Sequence, residues 1–481
     1  MRKRVILILT FVIAAAAGKA QNSQLLYFMN LPQNHILNPS LITSNSWYIG
    51  FPGISGINLN LTNNFLDFSD LFMKGAEISK DNLAFLDPDF DRDKFLGSLK
   101  ELNYIEPKAS VQILSAGFNI GEDLFLFLDV SDNVRANVVF PKDLLRIAFL
   151  GNESFAGQTF NLSDTRAEYI YYREIGAGVS KQVTPRLRFG GKAKLLFGVT
   201  AGMLQNYGLN LTVGSDYATT LQANMALDMS APVNVYTNAD NEVEDFELDD
   251  SRFDSGSGVF DFLGNTKNAG FGVDLGAEFL VTDQIVVSAA ITDVGFIKWK
   301  SDLVNLEAVS DIELSGLDFE DVYQGRATID EVITSLRDSV KYSFKKAPEE
   351  KVFSTKLPVG LAIGGKYVLN DRYSFGILSY SRITSQQIKQ AVTLSANMNI
   401  RNSFQASLGY TACNHDYSNL GLGLAFRASV FQMYFLVDRI PLNWKKTGSG
   451  GETLTLPANW NTIHTMMGIN LVFGNKRANN L

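Results

Sequence analysis

The sequence predicts an all-β protein, a transmembrane antiparallel β-barrel of about 14 strands with an N-terminal hatch segment and short helices in its extracellular loops. Three observations predict it. Apolar and polar residues alternate over runs longer than a soluble strand, the connections sort by length, and the chain opens on an export leader. In 271–281, Phe271, Val273, Leu275, Ala277, Phe279 and Val281 alternate with Gly272, Asp274, Gly276 and Glu278. Such a strand has one greasy face and one face of carboxylates and glycines. In a soluble sandwich the greasy face is the core; in a membrane barrel it looks at lipid and the acids line the lumen.

Taken in chain order, Arg2, Lys3 and Arg4 precede an apolar stretch, Val5 to Ala17, too short to span a membrane, and Gly18, Lys19 and Ala20 supply small cleavage residues. Residues 1–20 therefore read as a signal peptide. Residues 21–46 are apolar but irregular, with Leu26, Phe28, Asn38 and Pro39 among them, and read as a hatch, because irregular backbone at membrane depth needs protein or water around it, the alternative being a loose periplasmic leader. Fourteen alternating segments follow: 47–62, 103–120, 122–138, 165–182, 186–204, 268–281, 284–300, 353–369, 372–386, 389–401, 403–413, 417–427, 429–441 and 460–474. They make 47–474 the barrel and 475–481 a periplasmic tail.

In 186–204, Phe189, Ala193, Leu195, Phe197, Val199, Ala201 and Met203 fall on the lipid side, and Gly190, Lys192, Lys194, Gly198, Thr200 and Gly202 on the other. Short turns near Gly121, Thr184-Pro185, Thr282-Asp283, Asn370-Asp371, Asn402 and Ala428 alternate with the connections 63–102, 139–164, 205–267, 301–352 and 442–459 and two brief ones near Ser385 and His415. With both termini periplasmic, the long loops face outside. Residues 206–237 alternate in part and suit a hairpin above the membrane, or two further strands making sixteen; fourteen is preferred.

Three loop segments carry helical spacing. They are 91–102 with Phe95, Leu99 and Leu102, 141–152 with Leu144, Leu145, Ala148 and Phe149, and 327–340 with Ile329, Val332, Ile333, Leu336 and Val340. Leu144, Leu145, Phe149, Ile329, Ile333 and Leu336 are the candidate wall of a hydrophobic-ligand groove at the outer rim; the alternative is that each helix packs on its own loop or on the barrel lip. A second candidate site is a lumen charge pair. A turn at Thr184-Pro185 sets Glu174 opposite Lys194 and Gly176 opposite Lys192, with Glu168 opposite Thr200, and opposite charges on adjacent strands of a narrow lumen should pair.

Composition excludes other classes. The formal net charge of −8 becomes about −12 once the four basic leader residues are removed, which argues against nucleic acid. One cysteine, Cys413, makes neither an internal disulfide nor a Cys-rich metal scaffold. Asp87, Asp89, Asp91 and Asp93 are spaced like a calcium loop, but Arg92 stands where the turn glycine belongs and Ser98 where the bidentate Glu belongs. Residues 240–254 hold eight acids without ligand spacing, so no metal and no cofactor is expected. The only histidines are His35, His415 and His464, no nucleophile elbow or zinc-protease motif occurs, and His464 falls on the lumen side, so no enzyme is expected.

"QLLYFMNLPQNHILNPSL" with its Asn38-Pro39-Ser40 resembles the Asn-Pro-Ala segment before strand one of the FadL-like long-chain fatty-acid transporters. "FGVDLGAEFLVTDQIVVSAAITDVGFIKW" resembles a strand pair of FadL-like and PorV/PorP-like barrels of Bacteroidota, and the whole mature chain looks closest to an uncharacterised outer-membrane barrel family of that phylum. The resemblance implies a fourteen-stranded barrel with an internal hatch, in contact with outer-membrane lipid, that takes up small hydrophobic molecules. The rival expectations are an accessory barrel with protein partners in a secretion or gliding apparatus, and a surface receptor. A continuous apolar path from loop helices to lumen would favour transport.

Overall fold

The computed structural model describes residues 24–66, 91–252, 254, 262–314, 343–385, 387–413, 416–440, 443–447, 454–458 and 462–474. Fourteen antiparallel strands close into a barrel. In chain order β1 is split into Trp47–Gly50 and Ile57–Asn63. Next come β2 Leu102–Ile120, β3 Leu124–Pro141, β4 Arg166–Thr184 and β5 Leu187–Val213. β6 Ala269–Thr282 and β7 Ile285–Trp299 are followed by β8, split into Phe353–Lys356 and Val359–Val368. The wall continues through β9 Tyr373–Ile383, β10 Ile388–Ile400, β11 Phe404–Cys413, β12 Asp416–Ala428, β13 Phe431–Ile440 and β14 Thr462–Phe473. Each pairs with the next, and β14 pairs back onto both halves of β1. Closure leaves no free edge, as a spanning sheet requires.

The fourteen segments read from the sequence are these fourteen strands. The greasy face is the outer one: Leu275 and Leu195 are more than half exposed, at 58% and 53%, while Asp274 on the alternate face is at 1%. A soluble sandwich would show the opposite. The short turns gather at one end of the barrel and the long connections at the other.

Three departures have local causes. β1 breaks at 51–56 because Pro52 has no N–H to give the ladder and Gly53 takes φ +76°. Both halves nevertheless keep the same two neighbours. β5 runs on to Val213, and an extra residue near Val199 shifts its pairing with β4 between Tyr171 and Tyr172. A bulge of this kind reverses the alternation beyond it. Val199 and Ala201, expected against lipid, are therefore buried at 3% and 2%.

The third departure is the connection between β5 and β6. The hairpin expected above the barrel forms, rather than two more wall strands, but it does not stand alone. The end of β5 pairs with Thr219–Ser230, which pairs in turn with Leu303–Leu314 from the connection between β7 and β8. This sheet stands beyond the long-loop end of the barrel and closes over its own core, including Phe155, Phe160, Leu211, Val213 and Leu306. A ribbon of Val233–Thr237 and Val243–Leu248 adjoins it, where Asn238 and Lys345 hold the Glu242 carboxyl below the usual carboxylate range.

Of the loop helices, α1 spans Arg92–Ser98 and α2 spans Lys142–Leu150. α1 is shorter than its spacing suggested, since Leu99 is already extended and Leu102 opens β2. The Asp91 carboxylate accepts the backbone N–H of Lys94 at 3.0 Å and caps α1. No metal-binding cluster occurs among the described residues. Residues 1–23, 67–90, 315–342 and 475–481 are outside the described residues, so the leader, Asp87 and Asp89, the tail and the segment 327–340 with Ile329, Ile333 and Leu336 are not placed.

Candidate functional site

The lumen is occupied by the chain's own N-terminal segment. Residues Gln24–Phe28 and Pro32–Ile36 form two short 3-10 turns, and Leu25, Leu26, Tyr27, Phe28, Met29, Leu31 and Leu37 are all buried. They pack on inward residues of the far wall, among them Ala290, Ala362, Leu378, Tyr434 and Leu436. The wall makes room with glycine. A Cβ on Gly364 would strike the Tyr27 ring at 2.5 Å, on Gly376 the Phe28 ring at 2.3 Å, and on Gly409 the Leu25 side chain at 2.5 Å. At Gly190 it would strike the backbone of Pro39 and Ser40 at 2.2 Å, and at Gly276 the Asn38 side chain at 2.0 Å. The inward glycines of the alternating strands are thus niches for a guest segment.

Polar contacts seat the same segment. The Tyr27 hydroxyl lies 2.8 Å from that of Ser288, and the Asn30 N–H donates to Gln405 Oε1 at 2.8 Å. Gln33 Nε2 donates to Ser55 O at 3.0 Å and Asn470 Oδ1 at 2.8 Å. Asn38 Oδ1 accepts from the N–H and hydroxyl of Ser40, at 2.9 and 2.7 Å, and Ser40 O accepts from Ser180 Oγ at 3.0 Å. Asn38 and Pro39 thus form a turn locked between the β4 hydroxyl and the Gly190 and Gly276 niches. Ser40 supplies an O–H that alanine would lack.

Beside this turn lies a buried ionic layer. Lys192 Nζ is 2.9 Å from Asp129 Oδ2 and 2.7 Å from Glu174 Oε1. Lys194 Nζ is 2.8 Å from Asp274, 2.5 Å from Asp293 and 3.8 Å from Glu174. Asp293 joins through a bulge: Val273 and Leu275 of β6 face Val294 and Ile291, which leaves Thr292 and Asp293 sharing one opposite residue. Asp293 takes φ +60°, and the extra residue brings a carboxylate that plain alternation would send outward against Lys194. Two lysines against four carboxylates form a shared network, which suits a low-dielectric site only because every charge has a partner.

The segment is tied to this layer by one side chain, His35. Its Nε2 lies 3.1 Å from Asp129 Oδ1, its Nδ1 lies 2.8 Å from Pro32 O, and its ring is 4.6 Å from that of Phe127. Sequence reasoning counted His35 but gave it no role. The available signal was Asp129, a carboxylate on the inward side that directly follows the apolar run Leu124 to Leu128 of β3. A cavity of about 90 Å³ remains here, lined by Lys108, Asp129, Glu174, Lys192, Lys194 and Asp293 with Leu26, Leu37 and Met466.

The expected register is off by two. Glu174 stands opposite Leu196, and Gly176 rather than Glu174 faces Lys194. The tight loop is Pro185-Arg186, one residue beyond the centre assumed, and a shift between Gln182 and Thr184 sets the rest. Glu174 makes its short contact diagonally with Lys192, and Lys194 is the more distant partner. Glu168, expected opposite Thr200, stands opposite Met203 and binds Arg135 at 2.9 Å.

The rim residues behave differently from an open groove. Leu144 packs on the core of the sheet beyond the barrel, where Ile147 of α2 is buried, and Phe149 meets Phe95 of α1 at 5.4 Å between ring centroids. Leu145 is half-buried. Below them Ile170, Leu196, Ile297, Trp299, Phe353 and Leu357 form a buried apolar cluster on the β4, β5, β7 and β8 side. The continuous apolar path expected of a transporter is therefore interrupted by the ionic layer. His464 faces the lumen as its alternation requires, paired with Asp438 and with Asn58 Oδ1 at 3.2 Å.

Residues 39–438 match the model of one family, described as a family of unknown function, DUF5723. The chain belongs to that family. Its match begins at Pro39 in the locked turn and takes in the whole ionic layer. Among solved structures, this DUF5723 chain is similar to a Pseudomonas aeruginosa FadL homologue, with 11% identity, 96% of this chain and 98% of that one covered and a TM-score of 0.41. It is also similar to the P. putida toluene transporter TodX, at 11% identity, 95% and 97% coverage and a TM-score of 0.38. The Ralstonia pickettii toluene transporter TbuX gives 9%, 96% and 98%, and 0.39. No curated protein matches the sequence.

Proposed function

We propose that the chain is an outer-membrane barrel that takes small hydrophobic molecules inward, with the N-terminal segment 21–46 as its hatch. The observation that carries the reading is the lumen's filling. A barrel of this size could be closed by its own inward side chains, yet glycine niches and single hydrogen bonds hold a separate segment there. Such a closure can be withdrawn without breaking a ladder pair. The exposed apolar outer face supports a membrane position, and the leader and the sorted loops support export with the long loops outside. Above the ionic layer a buried apolar cluster lies beside the Arg135–Glu168 and Lys389–Glu106 pairs, and it is this cluster that supports a hydrophobic solute.

His35 makes the ionic layer a lock. Asp129 is shared between the hatch and Lys192, so moving the hatch unpairs one side of a buried carboxylate and loosens the layer a solute must cross. A second reading, an accessory barrel of a secretion or gliding machine or a surface receptor, is favoured by the sheet beyond the rim, which has its own core and offers a protein-sized surface. Transfer of a hydrophobic fluorophore into proteoliposomes separates the two. Transport requires faster transfer than in empty vesicles and a change of rate in His35→Ala. Equal rates for protein-bearing and empty vesicles would leave the accessory role.

A further inference from the structure

At the long-loop end, the outer face of β6, β7 and β8 carries lysines where the apolar belt stops. Phe271 and Phe296 stand opposite each other and are about half exposed, at 47% and 50%. Lys356 stands opposite Phe296 on the other side, and Lys298 follows Phe296 two residues further along the same face. Lys300 and Lys267 are exposed just beyond, where β7 ends and β6 begins. Among the described residues none of these four amines has a hydrogen-bond or ion-pair partner. The nearby carboxylate of Asp302 is already held by Arg252 at 2.7 Å. Four amines that no described acid pairs are unexpected in a chain of net charge −8.

We propose that Lys298, Lys300, Lys356 and Lys267 bind the phosphate of a glycolipid headgroup in the outer leaflet. Height argues for a lipid occupant. Lipid excludes lysine at mid-belt and accepts it at the belt's edge, where headgroup phosphates lie. Adjacent outward positions on paired strands are about 5 Å apart, so amines from β7 and β8 can reach one phosphate. The phenylalanines directly below suit the acyl chains of the same molecule. Clustered ammonium groups hold phosphate as point charges, without the planar fork that a carboxylate partner would favour.

The inference rests on the membrane reading, and the test separates the two. The full chain is placed in phosphatidylcholine nanodiscs containing a phosphorylated acylated glycolipid or its dephosphorylated form, and native mass spectrometry counts the glycolipid bound. Folding in the disc is followed by heat-modifiable gel mobility. The wild type should retain the phosphorylated form at least about tenfold better, a preference that Lys298→Gln with Lys300→Gln and Lys356→Gln abolishes and the corresponding Arg variants keep. Lys181→Gln, at the opposite end, should leave it unchanged, and millimolar inorganic phosphate should not displace the lipid. Equal retention of the two forms by the folded wild type overturns the site. Failure to fold in any disc overturns the membrane reading instead.

Discussion

Replacing Gly190 by alanine tests whether the hatch is held by niches in the wall. The new Cβ would lie 2.2 Å from the carbonyl of Pro39 and the nitrogen of Ser40, backbone atoms that cannot swing aside. β5 is fixed here between β4 and β6, so the hatch is the part that moves. Overpacking of a close contact costs about 1–3 kcal/mol. Withdrawal of the turn also forfeits the Ser180–Ser40 hydrogen bond, worth about 1 kcal/mol. Taking about 2 kcal/mol as the loss, the docked-to-undocked ratio falls about 30-fold. Gly191→Ala is the control: its Cβ would point outward and meet nothing nearer than Leu275 at 3.7 Å. It shares the intrinsic gain of alanine over glycine in a strand, so that term cancels.

The assay is thiol labelling of a cysteine placed at Met29, buried in the hatch, in a background where Cys413 is alanine. Labelling should accelerate about 30-fold in the Gly190→Ala protein and stay at the parent rate in the Gly191→Ala protein, while the barrel's heat-modifiable mobility is the same in both. Equal labelling of the two variants would refute the niche argument. Gly276→Ala should behave like Gly190→Ala, although simple alternation marks it as a harmless lumen substitution.

Leu275→Arg places a charge on the lipid face and should cost about 2–4 kcal/mol in refolding titrations into liposomes; a cost under about 0.5 kcal/mol would deny that face to lipid. Cysteine at Asn241 should label on intact cells and cysteine at Asp283 should not, and labelling at Asp283 alone would invert the orientation. In double-mutant cycles on unfolding, Glu174→Gln should couple more strongly to Lys192→Met than to Lys194→Met, following contacts of 2.7 and 3.8 Å, with at least about 0.5 kcal/mol for the first. Additivity of Glu174→Gln and Lys192→Met would remove the pair.

The barrel was legible because its code has a period of two residues and every strand repeats it. Phe271 to Val281 told which face was greasy, and the exposure of Leu275 told what it faced. The lumen was less legible, because its contacts depend on irregularities that the period does not contain. One extra residue near Val199 turned Val199 and Ala201 inward, and another turned Asp293 toward Lys194. The Glu174 register failed by two because it hung on one residue of turn geometry. Leu204 reads as the end of a wall strand and Leu227 as part of a hairpin above it, yet both pack on a second core completed by 303–314, a pairing of distant segments that local pattern cannot encode.

The glycines and the ion pairs have complementary places in this lumen. Gly364, Gly376 and Gly409, on β8, β9 and β11, receive the rings and aliphatic groups of residues 25–28, where shape selects the guest with help from hydrogen bonds such as Tyr27–Ser288. Asp129, Glu174 and Lys192, on β3, β4 and β5, face the His35 side, where charge does. The two kinds of contact respond to different perturbations. Niches exclude any larger wall residue but exert no long-range pull, whereas the ionic layer weakens if His35 or either partner of Asp129 is lost. His35→Phe keeps an aromatic ring against Phe127 and removes the contact to Asp129, together with the one to Pro32 O inside the segment itself. It should therefore raise labelling at Met29 by about ten- to a hundredfold, the loss of one hydrogen bond to a charged group, with the niches still occupied. No change in that rate would mean that shape by itself holds the hatch, and that Asp129 serves Lys192 alone.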